Sequence, residues 1–402
     1  MKIHIAVATD QTMANLIPIL AEPAAQLILL VSAEMLPKVD SQIRAIKRHP
    51  RLTALDIQVR QNMPSSSVEA IQEFALNLLG ELEQLNAEII FNLAGGTKLM
   101  TLALYQVFSE PNFRQIYPNT SHNKIEILWP KKQEPVPLPD LLDAKAYLQT
   151  HGVTWRSAIS EQAEWVSMVS DRQKMTFMLA NQLAKATETT EKLIRQLNEA
   201  GAHALNKQQK LSNPEQSLNY VNRAMFTLLQ TLAEHGMLYW DEQQPNDIEF
   251  CSEVSVRYIT GGWLEEYLFL VAKQVGLTDS HCSVQITDDI DAKANVRNEL
   301  DGVIAHNNRL LLVECKTAKL GKDELKDANI IYKSDSINKR IGGQYSTNLL
   351  LSALPLDHTT KDNREVKITA RAQGVGIKIL AGSAILNLKN WLQNWKETGK
   401  LE

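Results

Sequence analysis

The stretch NELDGVIAHNNRLLLVECKT, residues 298–317, constrains the fold of this chain more than any other. Apolar runs flank Asn307–Asn308, and Asn tolerates the positive φ that a tight hairpin turn demands. The spacing predicts two paired strands, Glu299–His306 and Arg309–Lys316. Asp301 lies on the first, Glu314 and Lys316 on the second, and residues two apart on a strand leave the same face. Ionised groups next to a run as apolar as Leu310–Val313 are costly unless they are paired or bind metal. Asp301 and Glu314 offer hard oxygen ligands for Mg²⁺ or Mn²⁺, and the backbone carbonyl of Cys315 can add another. Lys316 can orient water and stabilise a pentacoordinate phosphorus. A structural ion pair, Glu314–Lys316 or Asp301–Lys316, fits the same pattern, so the spacing alone leaves both readings open.

Around this hairpin the pattern predicts a helix over Trp263–Val275, a strand near Ser283–Thr287, a helix including Asp323–Asp335, a strand at Val366–Ala370 and a closing helix around Ala384–Trp395. On the first helix Leu264, Tyr267, Leu268, Val271 and Val275 form one apolar stripe. That places Glu265 at its border and Glu266 on the opposite side. Glu265 is the carboxylate placed to reach the active edge of the sheet, while Glu266 fits a helix-start acid favoured by the dipole.

The other half of the chain alternates strand and helix. Ile3–Ala8, Leu27–Val31 and Glu88–Leu93 read as strands; Met13–Leu20, Val68–Leu85 and Lys98–Phe108 read as helices. This implies a largely parallel sheet covered by helices, and such sheets bind ligands beyond the carboxyl ends of their strands. Two loops fall at that edge. ATDQTMAN brings Thr9, Asp10, Gln11 and Thr12 there. FNLAGGTKLM brings Asn92, the Gly95–Gly96 turn, and Thr97–Lys98 at a helix start whose free N–H groups favour phosphate. The GxxxxGK[ST] spacing of a Walker loop is missing. A Gly-Gly turn before a helix is also ordinary in parallel α/β proteins, so these residues argue for a phosphate-friendly loop without naming a ligand.

Between the halves, PKKQEPVPLP (Pro130–Pro139) cannot continue either element, which places a domain end near Tyr147 or Gly152. From Trp155 to about Leu205 the chain reads as polar and helical, with a further helix over Gln216–Glu234. MLYW, a turn at Gln244–Asp247 and IEF read as a hairpin. Helices followed by a hairpin suit a winged helix or a plain connector; we read a connector. The division is thus 1–150, an α/β domain with the phosphate-friendly loop; 151–246, a helical connector; and 247–402, the domain that carries Asp301, Glu314 and Lys316. A chain of 402 residues, 44% hydrophobic, is long enough for two or three such units.

Without a run of about twenty apolar residues or a signal-peptide pattern, a cytoplasmic protein with no membrane partner is expected. Cys251, Cys282 and Cys315 lack the spacing of a disulfide framework or zinc site. A net charge of −4 argues against general affinity for nucleic acid. It leaves room for local basic patches such as Lys131–Lys132, or Lys333 with Lys339 and Arg340.

An acidic helix residue followed by D–x12–E–x–K across a hairpin resembles the PD-(D/E)xK restriction-endonuclease-like superfamily, although Glu299–Leu300 precede Asp301 where that family has a proline. GGWLEEY and ECK look more narrowly like the nuclease half of the CRISPR ancillary nucleases that pair this fold with a CARF ligand-sensing domain. The two N-terminal loops are similar to the ligand loops of CARF domains over about residues 1–150. The turn Gly342–Gly343–Gln344 is a further match, and equally a mundane helix start. The resemblance implies a Rossmann-like CARF domain, a helical connector and a restriction-endonuclease-like α/β/α domain. It also implies a homodimeric, metal-dependent nuclease of type III CRISPR defence acting on DNA and/or RNA, switched on by a cyclic oligoadenylate, with cyclic tetra-adenylate as the expected ring. A two-fold dimer matches a symmetric ring. Two other readings compete: a ligand-responsive transcription factor using residues 155–250 as a winged helix, and an unregulated repair or restriction nuclease.

Overall fold

A computed structural model of the chain describes residues 1–184, 188–288, 297–318, 331, 336–337, 340–342, 345–359 and 365–402. The N-terminal part runs β1 (Lys2–Val7), α1 (Thr12–Ala21), β2 (Gln26–Ser32), α2 (Val39–Arg48), β3 (Asp56–Met63), α3 (Val68–Leu82), β4 (Glu88–Asn92), α4 (Lys98–Val107), β5 (Phe113–Asn119), β6 (Lys124–Trp129) and β7 (Val136–Pro137). The sheet order is β3-β2-β1-β4-β5-β6-β7. The strands from β3 to β5 are parallel, and β6 and β7 are added antiparallel. Buried on both faces, β1 and β2 are nearly continuous apolar runs, as parallel strands must be. The strand order reverses between β1 and β4, which sets their carboxyl ends as the ligand-accepting crevice. One expectation needs correcting: Pro130–Pro139 does contain a short strand, β7. Its Pro137 is tolerated because β7 is the last strand of the sheet.

The chain continues through α5 (Ala144–Thr150), β8 (Val153–Ala158), α6 (Ala163–Asp171), α7 (Gln173–Ala184), α8 (Glu188–Ala204), β9 (Glu215–Ser217), α9 (Phe226–Glu234), β10 (Leu238–Trp240) and β11 (Asp247–Phe250). The segment expected to be helical from Trp155 instead begins inside β8. Val153 and Trp155 bury themselves while Thr154 and Arg156 do not, and the strand pairs antiparallel with a strand of the C-terminal sheet. The helix expected over Gln216–Glu234 starts only at Phe226. Gln216 belongs to β9, and Asn222 caps the turn that leads into α9. The hairpin β10–β11 is present, and β9 extends it to three strands that, with α8 and α9, outline a winged-helix-like module.

The C-terminal part runs α10 (Glu253–Arg257), α11 (Trp263–Gln274), β12 (Asp279–Asp288), β13 (Arg297–His306), β14 (Arg309–Lys316), β15 (Ser346–Ser352), β16 (His358–Thr359), β17 (Glu365–Val366), α12 (Ile368–Gly374), β18 (Lys378–Ala381) and α13 (Leu388–Thr398). Its sheet order is β18-β15-β14-β13-β12-β8, antiparallel from β8 to β14 and parallel from β14 to β18. The β13–β14 turn forms with Asn307 and Asn308 at φ of 50° and 59°, the left-handed values expected of Asn there. The strand expected at Val366–Ala370 shrinks to Glu365–Val366, and the chain turns helical at Ile368. The helix expected to include Asp323–Asp335 lies largely outside the described residues, as do Lys333, Lys339 and Gly343–Gln344.

One apolar core, running from Met175 to Leu401, packs α7, α8, α9, α11 and α13 against one face of this sheet. The other face, with Val284, Ile286, Val303, Leu310 and Leu312, shares its core with Leu142, Tyr147 and Leu148 and with the α1 side of the N-terminal sheet. The two halves are therefore packed together through β13 and β14.

Candidate active site

Three groups converge on the ammonium of Lys316. It lies 2.6 Å from Glu314 Oε1 and 3.3 Å from Asp301 Oδ2, and it donates to the carbonyl of Cys315 at 3.1 Å. Asp301 Oδ2 also accepts the N–H of Cys315 at 2.8 Å, stitching β13 to β14 beyond their regular pairing, which ends at Gly302–Val313. The hairpin register thus brings together the three residues that were singled out by their spacing. All three are partly shielded from solvent, with side chains 17–29% exposed. Burial opposes the charge of Lys316, but Asp301 and Glu314 outweigh it and hold its pKa above the ordinary lysine value.

Glu265 joins them from α11. Its Oε2 accepts the hydroxyl of Ser283 at 2.6 Å, and burial pushes its pKa up to about 8, with Asp301 and Glu299 adding to the shift and the Ser283 hydrogen bond opposing it. Glu266 does face away, but its partner is not the helix dipole. It is buried against Arg172 of α7's approach, whose Nε donates at 2.9 Å while the guanidinium stacks on Tyr258. The helix-wheel reading could not anticipate this because Arg172 is remote in sequence. Thr317 Oγ1 donates to the carbonyl of Thr260 at 2.7 Å and fixes the end of β14 to the turn that starts α11.

Among the described residues no group of three His, Cys, Asp or Glu side chains forms a ready-made metal cage. The fit of a hard divalent cation rests on the donor set. Two carboxylates and one carbonyl already point at a single positive charge, the Lys316 ammonium, and oxygen donors of this kind suit Mg²⁺ or Mn²⁺. The thiols are poor ligands here, since burial raises the pKa of both Cys282 and Cys315.

At the far edge, the two N-terminal loops meet across the β1–β4 switch point. Gly95 lies so close to β1 that a Cβ would stand 2.3 Å from the carbonyl of Val7, and Gly96 has φ +83°; neither position accepts another residue without rearrangement. Thr97 caps α4 by accepting the N–H of Met100 at 3.2 Å, and Lys98 and Thr97 are exposed. Thr9, Gln11 and Thr12 are half-buried at the start of α1, and Asp10 is held by Lys38 at 2.7 Å. Asn92 is placed differently from the other candidates. It is buried, donates to Ala14 O and Asn15 Oδ1 and accepts from Ala94 N, so it braces one loop against the other. Sequence reasoning missed Asn15, Lys38 and Gln42. Gln42 donates to Thr9 O at 3.1 Å, yet α2 carries no motif to announce it.

Residues 3–141 match the family described as the Card1 CARF domain, and residues 252–399 match the Card1-like endonuclease domain. Among solved structures, Can2 from Sulfobacillus thermosulfidooxidans in complex with cyclic tetra-adenylate aligns over 98% of this chain and 97% of its own, with a TM-score of 0.69 and 22% identity. Protein VC1899 from Vibrio cholerae aligns over 100% and 99%, with a TM-score of 0.73 and 20% identity. At these identities the likeness is one of fold. No curated protein matches the sequence. The two domain matches, spanning more than two-thirds of the chain in this order, show that it belongs to the CRISPR ancillary nucleases that join an N-terminal CARF domain to a C-terminal restriction-endonuclease-like domain.

Proposed function

We propose that the chain is a cytoplasmic, Mg²⁺- or Mn²⁺-dependent nuclease of type III CRISPR defence that cleaves DNA and/or RNA when a cyclic oligoadenylate binds a CARF homodimer. The observation that carries the catalytic part is the convergence of Asp301, Glu314 and the Cys315 carbonyl on Lys316. Asp301, Glu314 and the Cys315 carbonyl would hold the metal. When bound, it would neutralise charge on the scissile phosphate and make water a better nucleophile. Lys316 stays protonated through the neutral range and can stabilise the negative charge that builds on phosphorus. Glu265, close enough to Asp301 and Lys316 to feel both charges, would help orient the attacking water.

For the activator, support comes from the paired loops at the switch point, from Lys98 at the start of α4, and from a neighbour of the same fold that holds cyclic tetra-adenylate. Thr9, Asp10, Gln11, Thr12 and Gly95–Lys98 would face the ring, with Asn92 beneath them. The winged-helix-like module does give the transcription-factor reading a scaffold. Its outward strand positions, however, are Glu215, Ser217, Tyr239, Asp247 and Glu249, a face whose three charges are all acidic and repel a phosphate backbone. The test is to incubate the protein with Mg²⁺ or Mn²⁺, with and without cyclic oligoadenylates, on labelled single-stranded RNA, single-stranded DNA and supercoiled plasmid. Cleavage that requires both metal and ring is expected. Equal cleavage without a ring would leave an unregulated nuclease, and no cleavage under any condition would overturn the reading.

A further inference from the structure

Ser283 occupies an unusual place in the C-terminal sheet. It sits in β12 between the pairs Cys282–Gly302 and Val284–Leu300, so the residue across from it on β13 is Asp301. Its φ is +46°, a left-handed value that a non-glycine residue inside a strand adopts only when its surroundings enforce it. The sheet shows what this conformation does. Residues two apart on a strand normally share a face, yet Cys282 packs with Phe269 and Leu270 of α11 while Val284 packs into the core on the opposite face. The partner strand does the same at the same rung. Gly302 lies directly under Leu268 of α11, and Leu300 belongs to the opposite core. Both strands therefore switch faces at Ser283 and Asp301. Glu265 comes from the α11 side, whereas Glu314 and Lys316 alternate with Val313 and Cys315, which pack with the α11 core, and so leave by the other face. The switched rung is where carboxylates from the two sides of the sheet reach one edge.

We propose that Ser283 is a positioning residue of the nuclease site: its hydroxyl, 2.6 Å from Glu265 Oε2, holds that carboxylate over the rung of Asp301. The inference rests on the nuclease reading of Asp301, Glu314 and Lys316. Among the described residues the Ser283 hydroxyl is the one hydrogen-bond donor to the Glu265 carboxylate; the Cys282 thiol, at 3.4 Å, reaches only its backbone carbonyl. The hydroxyl and the backbone conformation are separate contributions and can be separated by substitution. Ser283→Gly removes the hydroxyl but is at ease at positive φ; Ser283→Ala removes the hydroxyl and keeps the steric penalty.

The experiment compares parent, Ser283→Gly and Ser283→Ala by thermal melting, by calorimetric titration with Mn²⁺ alone, and by kcat and KM on a cleaved substrate. Ser283→Gly is expected to melt at or above the parent temperature and Ser283→Ala not above it. Both are expected to lose about tenfold in kcat, the scale on which outer partners of site residues act, with KM unchanged. A glycine variant that binds Mn²⁺ and turns over like a parent that does both overturns the proposal alone. A parent that neither binds Mn²⁺ nor cuts overturns the nuclease reading and this proposal with it.

Discussion

Arg309, the first residue of the strand that carries Glu314 and Lys316, donates its Nη2 to the carbonyl of Thr120 in the CARF domain at 2.7 Å and to that of Ser121 at 3.0 Å. The guanidinium is buried and also lies against Gly399 at the end of α13. Next to it, Asp140 accepts the N–H groups of Asn307 and Asn308 at 3.0 and 3.2 Å, and the Asn308 side chain binds Pro139 O and Leu141 N. One end of the β13–β14 hairpin is thus gripped by the sensing domain, and the other end is the candidate nuclease site.

A rearrangement at the CARF edge has a packed route to Asp301 and Glu314 through this grip. Arg309→Lys keeps the charge but replaces the fork that serves two carbonyls with a single ammonium. Activator affinity should change little, while the activated-to-basal rate ratio falls within the range of about 5–150-fold typical of allosteric coupling. Titrating the ring by calorimetry and measuring both rates checks this. An unchanged ratio would take the hairpin out of the activation route.

Glu314→Ala is expected to reduce cleavage to background while ring binding stays intact, because it removes a donor at the opposite end of the hairpin from the CARF contact. Asp301→Asn should behave alike. Lys316→Ala should lose about 10²–10³-fold in kcat, the scale of a lost charge-stabilising donor, and much less in Mn²⁺ affinity. Cleavage by Glu314→Ala at the parent rate, with metal present, would mean the site is elsewhere.

The elements readable in the sequence were those whose surroundings are simple. β1, β2 and β4 are buried runs between helices, and β13–β14 carries charges in an apolar frame around an Asn-Asn turn. The edge strand β3 and the amphipathic α2 left weaker traces, since at least half of the residues in each face solvent. β8 was read as helix because its pairing partner lies more than a hundred residues away, and a six-residue strand has no local signal strong enough to reveal that. At the candidate nuclease site, Asp301, Glu314, Lys316 and Glu265 were legible as charges at fixed spacing. Ser283 was not, because what distinguishes it is a backbone angle forced by tertiary packing. Asn92 was legible as a loop residue but not as a buried brace, a role decided by Asn15 from another element.

His4 is expected to set an acid limit for the CARF domain. It is 1% exposed on β1, and its Nε2 has no hydrogen-bond partner among the described residues. Burial lowers its pKa to about 4, against the pull of Glu22. A depressed histidine favours the fold while neutral, so its contribution is complete above pH 6.5 and is lost as pH falls through the folded value of about 4. The full loss amounts to roughly 3 kcal/mol. Urea melts from pH 7.5 to 4.5 should show a steeper decline for the parent than for His4→Leu, which cannot take up that proton. Parallel declines would show that His4 does not set the acid limit.

The last prediction concerns stoichiometry. Each chain offers one Gly95–Lys98 loop and one Thr9–Thr12 loop, whereas a cyclic tetra-adenylate repeats its unit around a symmetry axis. A homodimer with the two loop pairs facing each other matches that symmetry, so one ring per two chains is expected. A ligand that binds only the assembled dimer raises its melting temperature by mass action, by about 2.7 kcal/mol of stability at a hundredfold excess over Kd. Linear or monomeric adenylates should raise it much less. Lys98→Ala removes a cation from the start of α4, so ring affinity should fall and cleavage should return with more activator. In a mixture of parent and Lys98→Ala chains, the two half-sites contribute separately to one shared ring. If they do so independently, their free energies add, and the heterodimer should bind with the geometric mean of the two homodimer affinities. Calorimetry giving one ring per chain, or a monomer fully active with ligand bound, would rule out the shared-ring switch and leave the nuclease assignment standing.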